Sequence, residues 1–222
     1  NIELNDSISI FPLLNRLNSF HLDVPGDPSS ASFFAAAAAL IPNSSITIRN
    51  ILLNPTRTGF FKILEKMNGG VEWRNIKNVN GEIIGDVHIY WKPLNAIDIT
   101  KEMIPDVIDE LPIISILASQ AEGPTIVSGA EELRVKESDR IKAICENLYS
   151  MGCEVIEKKD GFIINGPCKL HNTNIITYGD HRIAMSFTIA GLITSKKNQF
   201  DDINCINISF PEFNSKLNQI LV

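Results

Sequence analysis

Three stretches of the chain are almost free of charge and rich in small or aliphatic side chains. They are Ser29–Leu40, Leu111–Ala121 and Ile183–Ile193. Each stretch is apolar around the whole circumference of a helix, whereas a helix on a protein surface keeps one polar face. The pattern therefore predicts three helices that are buried on every side.

An acidic residue precedes each of these stretches. Asp27, Asp109 and Asp180 stand where a side chain accepts hydrogen bonds from the first free N–H groups of a helix. Pro28 follows Asp27, and proline suits the first helical turn because its missing N–H has no intrahelical partner there. We expect the three aspartates to cap the three helices.

The segments that follow the first two buried helices have the same order. Each has a β-branched run, namely Ile46–Ile51 and Thr125–Val127. Each then has an amphipathic helix that ends at glycine, namely Phe60–Met67 and Ile141–Met151. Each closes with a strand, namely Val87–Trp91 and Phe162–Asn165. The chain therefore contains an internal repeat.

A third, shorter copy begins at Asp180 and is expected to pass through a strand near Ile203–Ile208 to a final helix at Phe213–Leu221. The predicted fold is α/β, with three βαβαββ repeats and three buried parallel helices behind sheets. Residues 26–222 would form this domain, with a hinge at 21–25. Residues 1–20 belong to no repeat, and we interpret them as the tail of another domain.

Composition and charge exclude several classes of protein. With 44% hydrophobic and 21% charged residues the chain is too apolar to be disordered. Its net charge of −6 argues against a general nucleic-acid surface. No apolar stretch reaches the roughly 18 residues that a membrane helix needs. We expect a cytoplasmic protein with no nucleic-acid or membrane partner.

The cysteines carry no metal-binding or redox motif. Cys145, Cys153, Cys168 and Cys205 form no CxxC pair, and none lies at metal-ligand spacing from a histidine. The count of cysteines does not exclude disulfides, but their scatter through a core-rich chain favours reduced, small apolar core residues, and we expect no metal site.

Charged residues concentrate at two helix starts. In the segment 131–140, Glu137 and Arg140 are three positions apart, which places them on one side of a helix start, with Ser138 as a plausible cap. Lys136 beside them could bind a phosphate. A solvated helix face is the alternative. At the other start, His181 and Arg182 follow Asp180, and an arginine there suits a phosphate or carboxylate. If the repeats surround a pseudo-threefold axis, the helix N-termini converge on an anionic ligand.

Several segments occur in a specific order. They are Pro25–Ser32, Asn54–Arg57, Ile108–Pro112, Glu132–Arg140, Asp180–Ser186 and Ser209–Phe213. In this order they resemble the carboxyl-terminal half of 5-enolpyruvylshikimate-3-phosphate synthases, especially the glyphosate-tolerant bacterial subgroup. The resemblance implies transfer of the enolpyruvyl group of phosphoenolpyruvate to the 5-hydroxyl of shikimate 3-phosphate, without cofactor or metal. It also implies a monomeric two-domain enzyme whose amino-terminal half is missing here.

The resemblance assigns roles to individual residues. Asp109 would accept the 5-hydroxyl proton, and Glu137 would exchange a proton with the methylene or methyl carbon. Lys136 would contact shikimate 3-phosphate, while Arg140 and Arg182 would clamp phosphoenolpyruvate.

Five further positions bear on this assignment. Asp180 and His181 are expected in the substrate site, His181 as a support for the arginine or a contact to the intermediate. Arg57 would line the cleft or be structural. Many relatives carry a lysine where this chain has Ile208, and an asparagine where it has Glu132; both differences fit the tolerant subgroup.

Two other functions stay open at this point. A UDP-N-acetylglucosamine enolpyruvyl transferase shares fold and chemistry, and a half-domain could be a non-catalytic binding module. The chain starts at Asn1 rather than Met, which we interpret as a cut. We expect the chain alone to be half of an active site and close to inactive.

Overall fold

The computed structural model describes residues 2–4, 8–10, 19 and 21–221. Strands β1 (Ile2–Leu4) and β2 (Ile8–Ile10) pair antiparallel with each other. Residues 21–25 have no regular structure and are mostly exposed. Most of the segment 1–20 lies outside the described residues, so its assignment to another domain stays a prediction.

The first repeat has one buried helix and one antiparallel sheet. Its elements are α1 (Pro28–Leu40), β3 (Ser45–Leu52), α2 (Gly59–Lys66), β4 (Gly70–Val79) and β5 (Glu82–Tyr90). The strand order is β3-β5-β4. The apolar face of α2 covers this sheet, with the Phe61 and Trp73 ring centroids 5.2 Å apart.

The second repeat adds a short parallel strand to the same plan. Its elements are β6 (Asp98–Ile99), α3 (Ile104–Val107), α4 (Leu111–Ala118), β7 (Gly123–Val127), α5 (Arg140–Ser150), β8 (Glu154–Lys158) and β9 (Gly161–Gly166). The strand order is β6-β7-β9-β8, with β6 parallel to β7. Single 3-10 helices lie at Ile108–Glu110 and Glu131–Val135.

The third repeat is reduced, and one prediction for it is wrong. Its elements are β10 (Asn174–Ile175), α6 (His181–Ala190), β11 (Gln199–Phe200) and α7 (Phe213–Ile220), with β10 parallel to β11. The expected strand near 203–208 is a 3-10 helix, Asn204–Ile208. The Asp202 carboxylate accepts the Asn204 N–H at 2.9 Å, and such an aspartate turn favours a tight helix over a strand.

The three predicted buried helices form the centre of the molecule. Each of α1, α4 and α6 packs against the other two, and every residue of α4 is buried. Each helix also connects two segments that pair in parallel: Gly26 with Ile51, β6 with β7, and β10 with β11. This shared crossover confirms the α/β repeat that the sequence pattern predicts.

Two of the three expected aspartate caps are present. The Asp27 carboxylate accepts the Ser30 N–H at 2.9 Å, and Asp180 accepts the Arg182 N–H at 2.9 Å. The prediction for Asp109 is wrong, because it lies within a 3-10 helix and α4 begins only after Glu110. The extra helical turn moves the Asp109 side chain away from the free N–H groups of α4.

The interpretation of all four cysteines as reduced thiols is also wrong. Cys153, after α5, and Cys168, after β9, form a disulfide with Cα atoms 5.2 Å apart. Cys145 and Cys205 are buried free thiols, as expected. The sequence spacing of Cys153 and Cys168 carries no sign of pairing, because the packing of α5 against β8 and β9 brings them together.

Candidate active site

The charged residues from both helix starts meet around the guanidinium of Arg140. Its Nε donates to Asp180 Oδ2 at 2.8 Å, its Nη1 to Asp109 Oδ1 at 3.0 Å, and its Nη2 to Glu137 Oε2 at 2.6 Å. The last contact confirms that Glu137 and Arg140 share one side of a helix start. The side chains of Arg140 and Asp180 are 0% exposed, whereas Asp109 and Glu137 are about half exposed. Arg140 therefore ties two accessible carboxylates to a buried one.

Asp109 is the point where three cations converge. Besides Arg140, Lys136 Nζ lies 3.8 Å from Asp109 Oδ1 and Arg182 Nη2 lies 3.8 Å from Asp109 Oδ2. Burial alone would raise the pKa of Asp109, but the charges of Arg182, Lys136 and Arg140 lower it below its ordinary value. Asp109 is thus an ionised, half-exposed acceptor. We refer to Asp109, Lys136, Glu137, Arg140, Asp180 and Arg182 as the ion-pair cluster.

Arg182 links the start of α6 to the start of α4. Its Nη1 donates to the backbone carbonyl of Asp109 at 3.0 Å and lies 3.5 Å from Glu110 Oε1. The side chain is 17% exposed, so part of the guanidinium faces the surface. Burial lowers the pKa of the neighbouring His181, which favours its neutral imidazole.

Asp180 combines two tasks at the base of the cluster. Its Oδ1 caps α6, and its Oδ2 accepts from Arg140 and, at 3.1 Å, from the Ser138 hydroxyl. Burial alone would raise the pKa of Asp180, but the Arg140 bond and charge lower it. Ser138 is therefore not the cap of α5, contrary to the prediction. Asp139 caps α5 instead, accepting the Lys142 N–H at 3.0 Å.

Glu110 is a further residue of the site. It lies in the segment Ile108–Pro112, but the sequence pattern alone assigned it no role. It is 6% exposed, and burial raises its pKa, opposed by a hydrogen bond from Ser29 and by the charge of Arg182. Ser29 in turn accepts a bond from Arg57 Nη2 at 3.0 Å, and Arg57 also pairs with Asp27 at 2.8 Å. These contacts join the first turns of α1, α4 and α6.

The surroundings of this junction are polar. A cavity of about 140 Å³ is lined by Ser29, Arg57, Asp109 and Glu110 among others. A larger groove of about 550 Å³ lies between α1, β3 and α7, but it is mainly apolar and contains none of the ion-pair cluster. Ile208, at the position where the resemblance implies a lysine in many relatives, is 79% exposed on its 3-10 helix.

This arrangement can hold an anion and move protons. Three helix N-termini with their partial positive charge meet beside Arg57, Lys136 and Arg182. Half-exposed Asp109 contacts Lys136 and Arg182, and half-exposed Glu137 contacts Arg140, so both carboxylates lie in the cluster that would hold the anion, as proton transfer requires. The described residues contain no group of three side chains suited to hold a metal ion, and no described helix is long and apolar enough to cross a membrane.

The chain matches one protein family over nearly its whole length. Residues 2–217 match the family described as EPSP synthase (3-phosphoshikimate 1-carboxyvinyltransferase). A 3-phosphoshikimate 1-carboxyvinyltransferase of Persephonella marina is 46% identical over 222 residues, covering 99% of this chain and 51% of that protein. One of Sulfurihydrogenibium sp. is 45% identical, covering 93% and 48%.

Solved structures agree with these relatives. An EPSP synthase from Acinetobacter baumannii superposes with a TM-score of 0.85 at 38% identity, covering 89% of this chain and 46% of that one. The enolpyruvyl transferase NikO from Streptomyces tendae, at 17% identity and a TM-score of 0.66, shares the fold. The chain spans about half the length of the curated relatives it matches. Because the family match covers nearly all of its residues, the chain belongs to the EPSP synthase family.

Proposed function

We propose that the protein containing this chain transfers the enolpyruvyl group of phosphoenolpyruvate to the 5-hydroxyl of shikimate 3-phosphate. The products are 5-enolpyruvylshikimate 3-phosphate and phosphate. The observation that carries the proposal is the placement of Asp109 among Lys136, Arg140 and Arg182, beside half-exposed Glu137. Fixed cations and accessible carboxylates in one place are what this reaction needs.

The cations would bind the substrates' anionic groups. Arg182 and Arg140 would hold the phosphate and carboxylate of phosphoenolpyruvate, since guanidinium groups bind both with paired hydrogen bonds. All of the Arg140 contacts described above are to carboxylates, so a bound anion would replace Asp109 or Glu137 on Nη1 or Nη2. The Nε bond to buried Asp180 would keep the guanidinium in place. Lys136, a quarter exposed, would contact the phosphate of shikimate 3-phosphate.

The carboxylates would move the protons. Asp109, with its lowered pKa, would orient the 5-hydroxyl and receive its proton as the oxygen attacks the central carbon of phosphoenolpyruvate. Glu137 would deliver a proton to the methylene carbon, giving a tetrahedral ketal. Loss of phosphate, which would take up the proton held by Asp109, and removal of a methyl proton by Glu137 would then restore the double bond and return both carboxyl groups to their starting states. His181 would support Arg182 from the start of α6.

The proposed active site also includes the other half of the enzyme. The relatives are about twice as long as this chain, and the accessible side of the ion-pair cluster would face their amino-terminal half. The complete enzyme would act as a monomer in the cytoplasm, without a cofactor. The isolated chain would have nearly no activity, because part of each substrate's contacts would be missing.

The test is phosphate release by the complete protein supplied with phosphoenolpyruvate and shikimate 3-phosphate. We expect Glu137→Gln, which keeps size and removes the proton-transfer group, to lower kcat by about 10²- to 10⁴-fold. Glu154→Gln, an exposed change on β8, is the matched control and should match the wild type. Phosphate release with UDP-N-acetylglucosamine but not with shikimate 3-phosphate would overturn the proposal in favour of the other transferase. Substrate binding without turnover would favour a binding module.

A further inference from the structure

We propose that Thr177 and Asp201 are positioning residues that fix the turn from which Asp180 and Arg182 enter the ion-pair cluster. Neither is part of the cluster, and neither has a role in the proposed chemistry. The expected effect on phosphoenolpyruvate rests on the proposed function, whereas the effect on the position of Arg182 does not.

A closed set of hydrogen bonds holds the turn. Asp201 Oδ1 accepts both the Thr177 N–H at 2.8 Å and the Thr177 hydroxyl at 2.7 Å. The same hydroxyl oxygen accepts the Gly179 N–H at 3.2 Å, and the Thr177 carbonyl accepts the Asp180 N–H at 3.0 Å. Thr177 is 0% exposed, so water cannot replace these bonds without opening the structure.

The backbone of the turn needs such support. Tyr178 has φ of 55° and Gly179 has φ of 70°. Glycine adopts this left-handed region readily, but a tyrosine does so only where its surroundings hold it. A hydrogen bond from the Tyr178 hydroxyl to Glu146 anchors the side chain on α5. The turn is therefore held from α5 on one side and from Asp201, after β11, on the other.

Asn147 secures the residue just before the turn. This α5 side chain is 2% exposed. It accepts the Ile176 N–H at 2.9 Å and donates to the Ile176 carbonyl at 2.9 Å. The backbone is thus fixed at Ile176 and Thr177, and Thr177 lies only three residues before Asp180.

The position of the turn determines that of both arginines. Asp180 directly follows it, holding Arg140 through Oδ2 and the Arg182 N–H through Oδ1. A shift of the turn would move Asp180 and with it the Arg182 guanidinium, which lies 3.0 Å from the Asp109 carbonyl. Lys136 is on a different loop and has no bond to the turn, so a shift should affect phosphoenolpyruvate more than shikimate 3-phosphate.

The experiment compares Thr177→Val, Thr177→Ser and Thr188→Val in the complete enzyme. Valine keeps the shape of Thr177 and removes the hydroxyl, while serine retains it. Thr188 is the matched control, since its hydroxyl donates within α6 to Ala184 at 2.8 Å and not to the turn. We expect Thr177→Val to raise KM for phosphoenolpyruvate about tenfold, the scale of one lost charge-assisted bond. KM for shikimate 3-phosphate should change less than about twofold. Thr177→Ser should restore the wild-type values, and Thr188→Val should leave both KM values unchanged.

A crystal structure of Thr177→Val separates this proposal from the proposed function. We expect Arg182 Nη1 to have left the Asp109 carbonyl, and this readout holds even for an enzyme that does not use phosphoenolpyruvate. An unmoved Arg182, equal rises in both KM values, or no rescue by serine would overturn the positioning role. If Thr177→Val does not fold, Asp201→Asn keeps the Oδ1 acceptor without its charge. It should then raise KM for phosphoenolpyruvate alone, and an unchanged KM would overturn the proposal.

Discussion

Replacing Arg140 by methionine tests whether the ion-pair cluster is built on a buried charge. Methionine keeps most of the aliphatic stem and removes the guanidinium, which is 0% exposed and contacts Asp180, Asp109 and Glu137. The change leaves Asp180, which is also 0% exposed, without its cation. We expect a large loss in the free energy of unfolding at pH 7.

The magnitude follows from the burial of each partner. Removing one member of a buried ion pair costs about 3–5 kcal/mol. Asp180 keeps the Ser138 hydroxyl and the Arg182 N–H as donors, which moves the cost to the lower end. Asp109 and Glu137 are half exposed and can be rehydrated, so losing each pair costs about 1 kcal/mol or less. We expect about 3–4 kcal/mol for Arg140→Met.

The loss should also depend on pH. Burial alone raises the pKa of Asp180, and Arg140 lowers it below its ordinary value of 3.8. In the wild type this pair therefore stabilises the fold above that value, and the stabilisation is lost as pH falls through the lowered pKa. Without Arg140, burial is opposed more weakly, by the hydrogen bonds from Ser138 and the Arg182 N–H, so the pKa of Asp180 rises and the variant neutralises it during milder acidification. The difference between variant and wild type should shrink as pH falls from 7 to about 4.

Urea unfolding followed by tryptophan fluorescence measures both effects. Arg74→Met is the matched control, because Arg74 lies 2.6 Å from Glu72, as close as Arg140 lies to Glu137, but both members of the Arg74–Glu72 pair are about half exposed. The control should cost far less than Arg140→Met, because exposed ion pairs contribute little to stability. In the double variant with Asp180→Asn, Arg140→Met should cost much less than it does alone, because no buried carboxylate is left unpaired. A cost below about 1 kcal/mol for Arg140→Met, unchanged by pH, would refute the reasoning.

Three other predictions follow from burial and from the disulfide. Glu110→Gln should raise the thermal stability at pH 7 and above, because burial raises the pKa of Glu110 and its charged form costs stability there; a lower Tm than the wild type at pH 8 would contradict this. Non-reducing peptide mapping should join Cys153 to Cys168, and Cys153→Ser should lower stability by about 3 kcal/mol, the scale expected for a loop of this length. Cys145, whose pKa burial raises to about 12, should resist alkylation in the native state. Rapid labelling of Cys145, or free thiols at both Cys153 and Cys168, would show that the packing is different.

The sequence by itself determined the elements whose signal is local. A helix that is apolar on all sides must be buried wherever it lies, so α1, α4 and α6 could be predicted without knowing their neighbours. The caps at Asp27 and Asp180 and the pairing of Glu137 with Arg140 depend on residues within three positions of each other. The shared order of segments also showed the repeat, and the resemblance carried by its motifs identified the family.

The tertiary structure decided what depends on distant residues. Asp109 precedes its helix as Asp27 does, but an added 3-10 turn and the approach of Arg140, Lys136 and Arg182 make it an ion-pair partner instead of a cap. The disulfide likewise needed the packing of α5 against the second sheet.

The same reason explains the roles that sequence reasoning did not assign. Glu110 is adjacent to Asp109, yet its burial comes from the starts of α1 and α6. Thr177 precedes the Asp180 motif, but its partner Asp201 lies beyond the whole of α6. The local sequence pattern determines which residues are charged and which helix faces are apolar. Packing determines which charged side chains are buried and which of them contact one another, and this sets their pKa values.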